Sequence, residues 1–407
     1  LRRAENWKRI DMKPWLIRLS ELTPDQKKMV GSDPDESIFV RGSPGSGKTQ
    51  VLTHRAAFFL QSQGISCQNI RFFVLTDVLE EFIGAEIESL GCSRETVTTF
   101  DHWCRSFFVQ NISRDLPRVY VDGRIDYTKT RSAVLETLKK NGIFRQKLKY
   151  ALVDDAQDLT PEAFEILSLA ARHITIFSDS WQKLNEEWTP ESVLMEALQL
   201  DKGYPVLEGD FRSSTRVAHL AARFISDDDF RYAYLSQVRM AHGSHEEPLC
   251  YVAPSEEKEL LHLSRTVGQK MVQKHRVGIL VPTDRLVHSL AKSLLDKGIE
   301  AEKAISVDAQ NVIHQPYSFH NNLPKITTYS MAKGLTFDSV LLPRLTENAF
   351  SPFSPSQRRQ LLFEGISRAS VWVYLSTVRG DEFGEMEILR SAQSDGHLRI
   401  VYKAGYE

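Results

Sequence analysis

The sequence predicts an α/β protein of two doubly wound domains with parallel sheets. Three observations carry this expectation. Short apolar strands alternate with amphipathic helices along the 407 residues. A glycine-rich loop of phosphate-binding type follows the first strand and opens a helix. A polar break at Asp201-Lys202-Gly203-Tyr204-Pro205 divides the chain into near-equal halves, each the size of one such domain.

Strands are expected at 37–40, 71–76, 97–100, 150–154 and 174–178 in the first half. In the second half they are expected at 277–282, 325–329, 339–342 and 371–376. From Gln50 the chain reads as a helix, with Leu52, Ala56, Phe59 and Leu60 on one face and Gly64 as a stop. The segment 284–297 is a second clear helix, with Leu286, Val287, Leu290, Leu294 and Leu295 on one side and Gly298 ending it. The polar stretch 226–248 reads as a solvated loop, and its histidines lack metal-site spacing. The expected domains are 1–203, with a short N-terminal extension, and 204–407.

Composition narrows the class. A hydrophobic share of 42% and a charged share of 26% are those of an ordinary globular chain rather than a disordered one. No apolar run approaches the ~20 residues of a membrane span. No secretory pattern opens the sequence, so no membrane partner and a cytoplasmic location are expected. Cys67, Cys92, Cys104 and Cys250 lack C-x-x-C spacing, which argues against a zinc or iron–sulfur site. The net charge of −2 excludes a whole-protein positive field, so any nucleic-acid surface must be a local groove.

Gly42-Ser43-Pro44-Gly45-Ser46-Gly47-Lys48-Thr49 fits G-x-x-x-x-G-K-[ST]. Its glycines let backbone N–H groups turn inward around a di- or triphosphate. Lys48 reaches the β/γ phosphates, and the Thr49 hydroxyl is a ligand for Mg²⁺. The stretch Tyr150–Asp158 is the second element of an ATPase. An apolar strand delivers Asp154, expected on Mg²⁺, and Asp155, expected to orient or deprotonate the attacking water. Ile174–Gln182 is another strand ending in polar groups, and the amide of Gln182 is suited to sense a γ-phosphate. Arg212 and Arg368 lie in patterned stretches of the second half and suggest arginine fingers across an inter-domain cleft.

The order of these motifs resembles the UvrD/Rep-like branch of superfamily 1 helicases, from about Leu22 to Thr377. The resemblance implies two tandem RecA-like domains with an ATP cleft between them. Leu22-Thr23-Pro24-Asp25-Gln26 is similar to that family's Q motif, which implies that Gln26 reads adenine. Ser46 to Ala57 is similar to its phosphate-loop helix, where Gln50 is a nucleotide-binding position and Arg55 lies near the nucleotide. Asp154-Asp155-Ala156-Gln157-Asp158 resembles D-E-x-Q-D, and Ser178-Asp179-Ser180-Trp181-Gln182 resembles G-D-x-x-Q. Phe211-Arg212-Ser213 resembles Y-R-S, implying a ring stacked on the base and an arginine at the γ-phosphate. Ala332-Lys333-Gly334-Leu335-Thr336-Phe337 resembles A-K-G-L-E-F, implying nucleotide contacts at Gly334 and Thr336. Ile366-Ser367-Arg368-Ala369 resembles x-[ST]-R-A.

The departures bear on the chemistry. Asp155 replaces glutamate, so its carboxylate sits back by about one C–C bond, ~1.5 Å. Misplacement on that scale costs up to ~100-fold in rate. Thr336 replaces a glutamate, Ser178 a glycine, and Asp101 a histidine expected on the DNA track. Phe100 to Asp154 is 54 residues and Arg212 to Thr328 is 116, too short for the family's large accessory domains. A compact form is therefore implied.

The resemblance further implies 3′→5′ movement on single-stranded DNA, with RNA left open. The track would run over Thr76, Thr99, Phe100, Trp103, Trp188 and Ser330, in a stacking mode tolerant of sequence. The alternative reading is a slow ATP-binding switch or an interaction subunit, working with a nuclease or another protein in a larger assembly. The shorter Asp155 favours that alternative, and the full motif order favours the motor.

Overall fold

The computed structural model describes residues 15–117, 120–121, 124–179, 189–198, 205–238, 246–304 and 323–402. The described chain forms two compact units, the first running from Trp15 to Glu208 and the second beginning at Gly209.

The first unit is built on strands β1 (Ile38–Gly42), β2 (Ile70–Val74), β3 (Val97–Thr99), β6 (Leu148–Val153), β7 (Ala171–Asp179) and β8 (Val206–Leu207). Two short strands, β4 (Tyr120–Val121) and β5 (Arg124–Ile125), pair antiparallel apart from it. The six-stranded sheet has the order β3-β2-β6-β7-β1-β8, and its pairings are all parallel. Parallel neighbours require crossover connections, and the helices Lys48–Ala57, Asp77–Ser89, Phe100–Asn111 and Pro161–Ala170 supply them. The sheet is covered, so β6 reads as a nearly continuous apolar run. Phe73, Phe100, Phe108, Phe164 and Leu167 are among the side chains that fill its core.

The second unit holds β9 (Leu249–Ala253), β10 (Val277–Val281), β11 (Glu302–Ala304), β12 (Lys325–Thr328), β13 (Phe337–Leu342), β14 (Ala369–Val378) and β15 (Arg399–Val401). Their order is β11-β12-β10-β13-β14-β9-β15, again with parallel pairings throughout. Two all-parallel sheets bear out the α/β expectation.

The strands expected from sequence are all present, and β4, β5, β8, β9, β11 and β15 are additional to them. β8 and β15 are two and three residues long, too short to show alternation. Because β8 pairs with β1, the first unit runs to Glu208, a few residues past the expected division at 203. Part of the expected loop 226–248 is instead the helix Asp228–Gln237. Asp227 caps it through Phe230 N, and Tyr234 is buried against Phe363 at 5.4 Å. In the helix Asp284–Asp296, Val287, Leu290 and Leu294 are buried as expected, whereas Leu295 is exposed.

Candidate nucleotide site and the faces around it

Three adjacent strands end together. Gly42 of β1 pairs with Asp179 of β7, and Val153 of β6 with Ile176 of β7. The phosphate loop, the Asp154-Asp155 pair and Asp179 are thus gathered at the carboxyl edge of the sheet, where ligands of open parallel sheets bind.

The loop is held by its own backbone and by Lys48. Gly47 adopts φ +86°, and a Cβ on it would meet Gln26 Nε2 at 2.6 Å. A Cβ on Gly42 would lie 2.6 Å from Ser46 Oγ. Gly45 is also left-handed, following Pro44. Lys48 Nζ donates to the carbonyls of Gly42 and Ser43, at 3.1 and 3.0 Å, and to Asp179 Oδ2 at 3.0 Å. The Lys48–Asp179 pair is buried. Thr49 Oγ1 donates to Asp154 Oδ2 at 2.5 Å, joining the loop to the acidic end of β6. Burial, reinforced by the neighbouring Asp155 charge, pushes the Asp154 carboxyl up to about 7, against the pull of the Thr49 hydroxyl and Lys48.

Asp155 occupies a left-handed backbone conformation, φ 46° and ψ 46°, which costs an L-residue energy and is best tolerated by Asp or Asn. It starts the tight turn Ala156–Asp158. Gln157, fully buried, follows in that turn. Its Nε2 lies 3.4 Å from both Asp155 Oδ1 and Asp158 Oδ2. Its Oε1 accepts from Asp179 N at 2.9 Å and Ser178 Oγ at 3.2 Å. Gln157 and Asp179 belong to the motifs, yet sequence reasoning gave neither a role. Their contact depends on the β6–β7 register, which no local pattern encodes.

The donors fit a nucleoside triphosphate with a divalent cation. Ser43 Oγ and Ser46 Oγ are buried in the loop without a hydrogen-bond partner among the described residues. Phosphate oxygens would satisfy them. Thr49 and Asp154 offer the hard oxygen ligands that Mg²⁺ takes.

Several expected nucleotide contacts serve the scaffold. Arg55 is fully buried. Its guanidinium donates to Thr175 Oγ1, to the carbonyls of Met29, Val30, Ser32 and Asp33, and to Ser32 Oγ. It also lies over the Phe59 ring at 4.6 Å. Burial pushes it down to about 10. Arg55 therefore clamps the C-terminal end of the helix Pro24–Val30 and does not present itself to a nucleotide, which corrects the expectation. That same helix carries Gln26, whose Nε2 donates to Ser46 O at 2.9 Å and braces the loop. The Gln50 side chain donates to Trp15 O and accepts from Ile17 N, so it secures the incoming chain. Gln182 and Trp188 lie outside the described residues.

In the second unit the two expected arginines converge on Ser367. Arg212 Nη1 donates to Ser367 O at 3.3 Å, and Arg368 Nη2 to Ser367 Oγ at 3.2 Å. Asp210 shapes the turn before them, accepting from the backbone N of Arg212 and Ser213. Burial raises its carboxyl above the usual range. Phe211 is exposed beside Arg212. Phe337 N donates to Arg368 O at 2.9 Å, which sets the stretch containing Gly334 and Thr336 next to Arg368. Gly334 is buried with φ +81°, and Thr336 is half-buried. Ser330 is exposed in the turn after β12.

The ends of β2 and β3 differ from expectation. Thr76 and Thr99 cap the helices Asp77–Ser89 and Phe100–Asn111, accepting from Leu79 N and His102 N. Phe100 is buried in the core, so its ring cannot meet a base. Trp103 packs edge-on against Phe73 at 6.0 Å and beside Phe107 at 5.6 Å, a core-packing role rather than an open platform. Asp101 holds Arg131 in a bidentate pair, both bonds 2.7 Å. His102 Nδ1 lies 3.0 Å from Glu80 and Nε2 3.6 Å from Asp77. The Glu80 hydrogen bond raises its pKa.

Two all-parallel sheets, the first carrying a glycine-rich phosphate loop ahead of a helix, are the architecture of tandem RecA-like proteins. Residues 22–142 match the UvrD/REP helicase N-terminal domain. Over that segment the chain is similar to UvrD/Rep-like helicases of superfamily 1. It is 27% identical over 137 residues to the ATP-dependent DNA helicase PcrA of Staphylococcus aureus strain Mu50. That alignment covers 32% of this chain and 18% of the relative. It is 28% identical over 131 residues to PcrA of Staphylococcus epidermidis strain RP62A, covering 31% of this chain and 17% of the relative. The matched segment thus spans less than a fifth of these curated relatives. A solved structure, the C-terminal domain of a possible DNA helicase from Lactobacillus plantarum WCFS1, aligns at 16% identity with a TM-score of 0.34. It covers 46% of this chain and 97% of that one. Among the described residues, no helix is long and apolar enough to cross a membrane.

Proposed function

We propose that this chain is an ATP-dependent translocase or helicase on single-stranded DNA, moving 3′→5′ and using residues of both units to hydrolyse ATP. The observation that carries the reading is the 2.5 Å bond from Thr49 to Asp154. It joins a phosphate loop to the acidic strand end that a P-loop NTPase uses for its metal. Lys48 would hold the β/γ phosphates, and Thr49 and Asp154 would hold Mg²⁺. Asp155 would orient the attacking water and take its proton at a carboxylate oxygen. Bound Mg²⁺ supplies charge neutralisation at the phosphates. Arg212 and Arg368, already paired on Ser367, would act on transition-state charge, and Gln182 would sense the γ-phosphate.

The DNA substrate is inferred from the DNA helicase activity of the PcrA relatives and from the motif order. Thr76, Thr99 and Ser330 would contribute hydroxyls or backbone groups to the track, and Trp188 a stacking ring. A slow switch or an interaction subunit, working with a nuclease or another protein, is the second reading. The Lys48–Asp179 pair favours it, because a triphosphate must compete with Asp179 for Lys48.

ATP turnover measured without nucleic acid, with single-stranded DNA and with single-stranded RNA tests the proposal. Strand displacement on 3′- and 5′-tailed duplexes accompanies it. DNA-stimulated turnover with displacement from the 3′ tail is expected. Turnover indifferent to nucleic acid, with no displacement, would establish the switch reading in its place.

A further inference from the structure

The buried amide of Gln157 has one orientation open to it. A backbone N–H only donates, so the atom facing Asp179 N at 2.9 Å must be the amide oxygen. The Ser178 hydroxyl donates to that same oxygen at 3.2 Å. With its oxygen held twice on β7, the amide turns its NH₂ back toward β6. There it stands 3.4 Å from Asp155 Oδ1 and 3.4 Å from Asp158 Oδ2. Asp155 sits on a left-handed backbone with a short side chain. Such a carboxylate has little reach of its own, and its position depends on what lies beside it.

We infer that Ser178 and Gln157 are positioning residues for the Asp155 carboxylate. Ser178 fixes the Gln157 amide, and Gln157 fixes the Asp155 oxygen that receives the proton from water. The inference rests on the ATPase reading above. Ser178 and Asp155, two places where this chain departs from the motif pattern it resembles, are therefore physically linked through Gln157. A glutamate at 155 would carry its carboxylate about 1.5 Å further along. The amide, already at 3.4 Å, would no longer hold it.

The consequence is a coupling that ordinary structural support does not produce. Ser178→Ala removes one oxygen and leaves Gln157 its bond from Asp179 N, so the fold tolerates it. The experiment measures ATP turnover and the KM for ATP, with saturating Mg²⁺ and single-stranded DNA. It compares the parent, Ser178→Ala, Asp155→Glu and the double variant, with Lys48→Ala as background and thermal midpoints recorded for each. Ser178→Ala should lower kcat by about tenfold in the parent, with the KM for ATP changed by less than about twofold. In the Asp155→Glu background its effect on kcat should shrink to about twofold or less. Equal losses in both backgrounds would overturn the positioning role and leave the ATPase reading intact. So would a loss expressed in KM or in the thermal midpoint alone. A parent whose turnover does not exceed Lys48→Ala would overturn the ATPase reading, and this inference with it.

Discussion

The two ends of strands that share the first sheet teach different lessons. At the ends of β1, β6 and β7, the side chains singled out by the phosphate-loop and acidic motifs meet one another. Thr49 bonds Asp154 at 2.5 Å, and Lys48 bonds Asp179, a residue not singled out in advance, at 3.0 Å. At the ends of β2 and β3, the aromatic residues expected to face nucleic acid turn inward. Phe100 is core, and Trp103 leans on Phe73 and Phe107. Phosphate chemistry needs fixed backbone geometry and short polar side chains, and those needs are written in local spacing. Base stacking needs an exposed ring, and a ring on an amphipathic helix is buried or exposed according to the whole fold.

The largest effect expected to sharpen this contrast is at Asp155. Asp155→Asn should reduce ATP turnover by about 10²–10⁴-fold, the usual range for a lost general base. Asp155→Glu should retain or raise it. Steady-state hydrolysis by an Asn variant at the parent rate would remove Asp155 from the chemistry.

Phe100→Ala should destabilise the first unit by about 3–5 kcal/mol in denaturant unfolding, as large-to-small core changes do. A variant that unfolds like the parent but binds single-stranded DNA less tightly would return Phe100 to the nucleic-acid face. Arg55→Met should cost about 3 kcal/mol of stability, because it leaves several buried carbonyls short of a donor. The KM for ATP should move little at temperatures where the variant is folded. A raised KM with unchanged stability would restore the nucleotide role that the buried clamp argues against.

The smallest effect concerns His102. Its folded pKa is raised, first by the hydrogen bond to Glu80 and further by Asp77 against the cost of burial. Its stabilising contribution is thus full below the unfolded value of 6.5 and is lost as pH rises through the raised folded value. Thermal midpoints of the parent and His102→Ala should differ most near pH 5.5 and converge toward pH 8. A difference independent of pH would mean that the ring acts by packing alone.

Much of the fold was legible because parallel strands buried on both faces leave nearly continuous apolar runs, as in β6 and β10. β8 and β15 were not, since two or three residues carry no period. The helix Asp228–Gln237 was hidden by its acidic start, which reads as loop until Asp227 is recognised as a cap. In the site, Lys48, Thr49 and Asp154 were readable from spacing. Arg55 was misassigned because a motif records a residue's presence and not the side of the helix from which it is approached. Gln157 and Asp179 meet only through strand register, a relation across 22 residues.

The central claim is that the carboxyl edge of the first sheet hydrolyses ATP through Lys48 in response to single-stranded DNA. ATP turnover by the parent and by Lys48→Ala, each with and without single-stranded DNA, tests it most directly. The account predicts a slow parent rate that rises with DNA, and a Lys48→Ala rate at background in both conditions. Parent-level hydrolysis by Lys48→Ala, or a parent rate that DNA does not change, would contradict it.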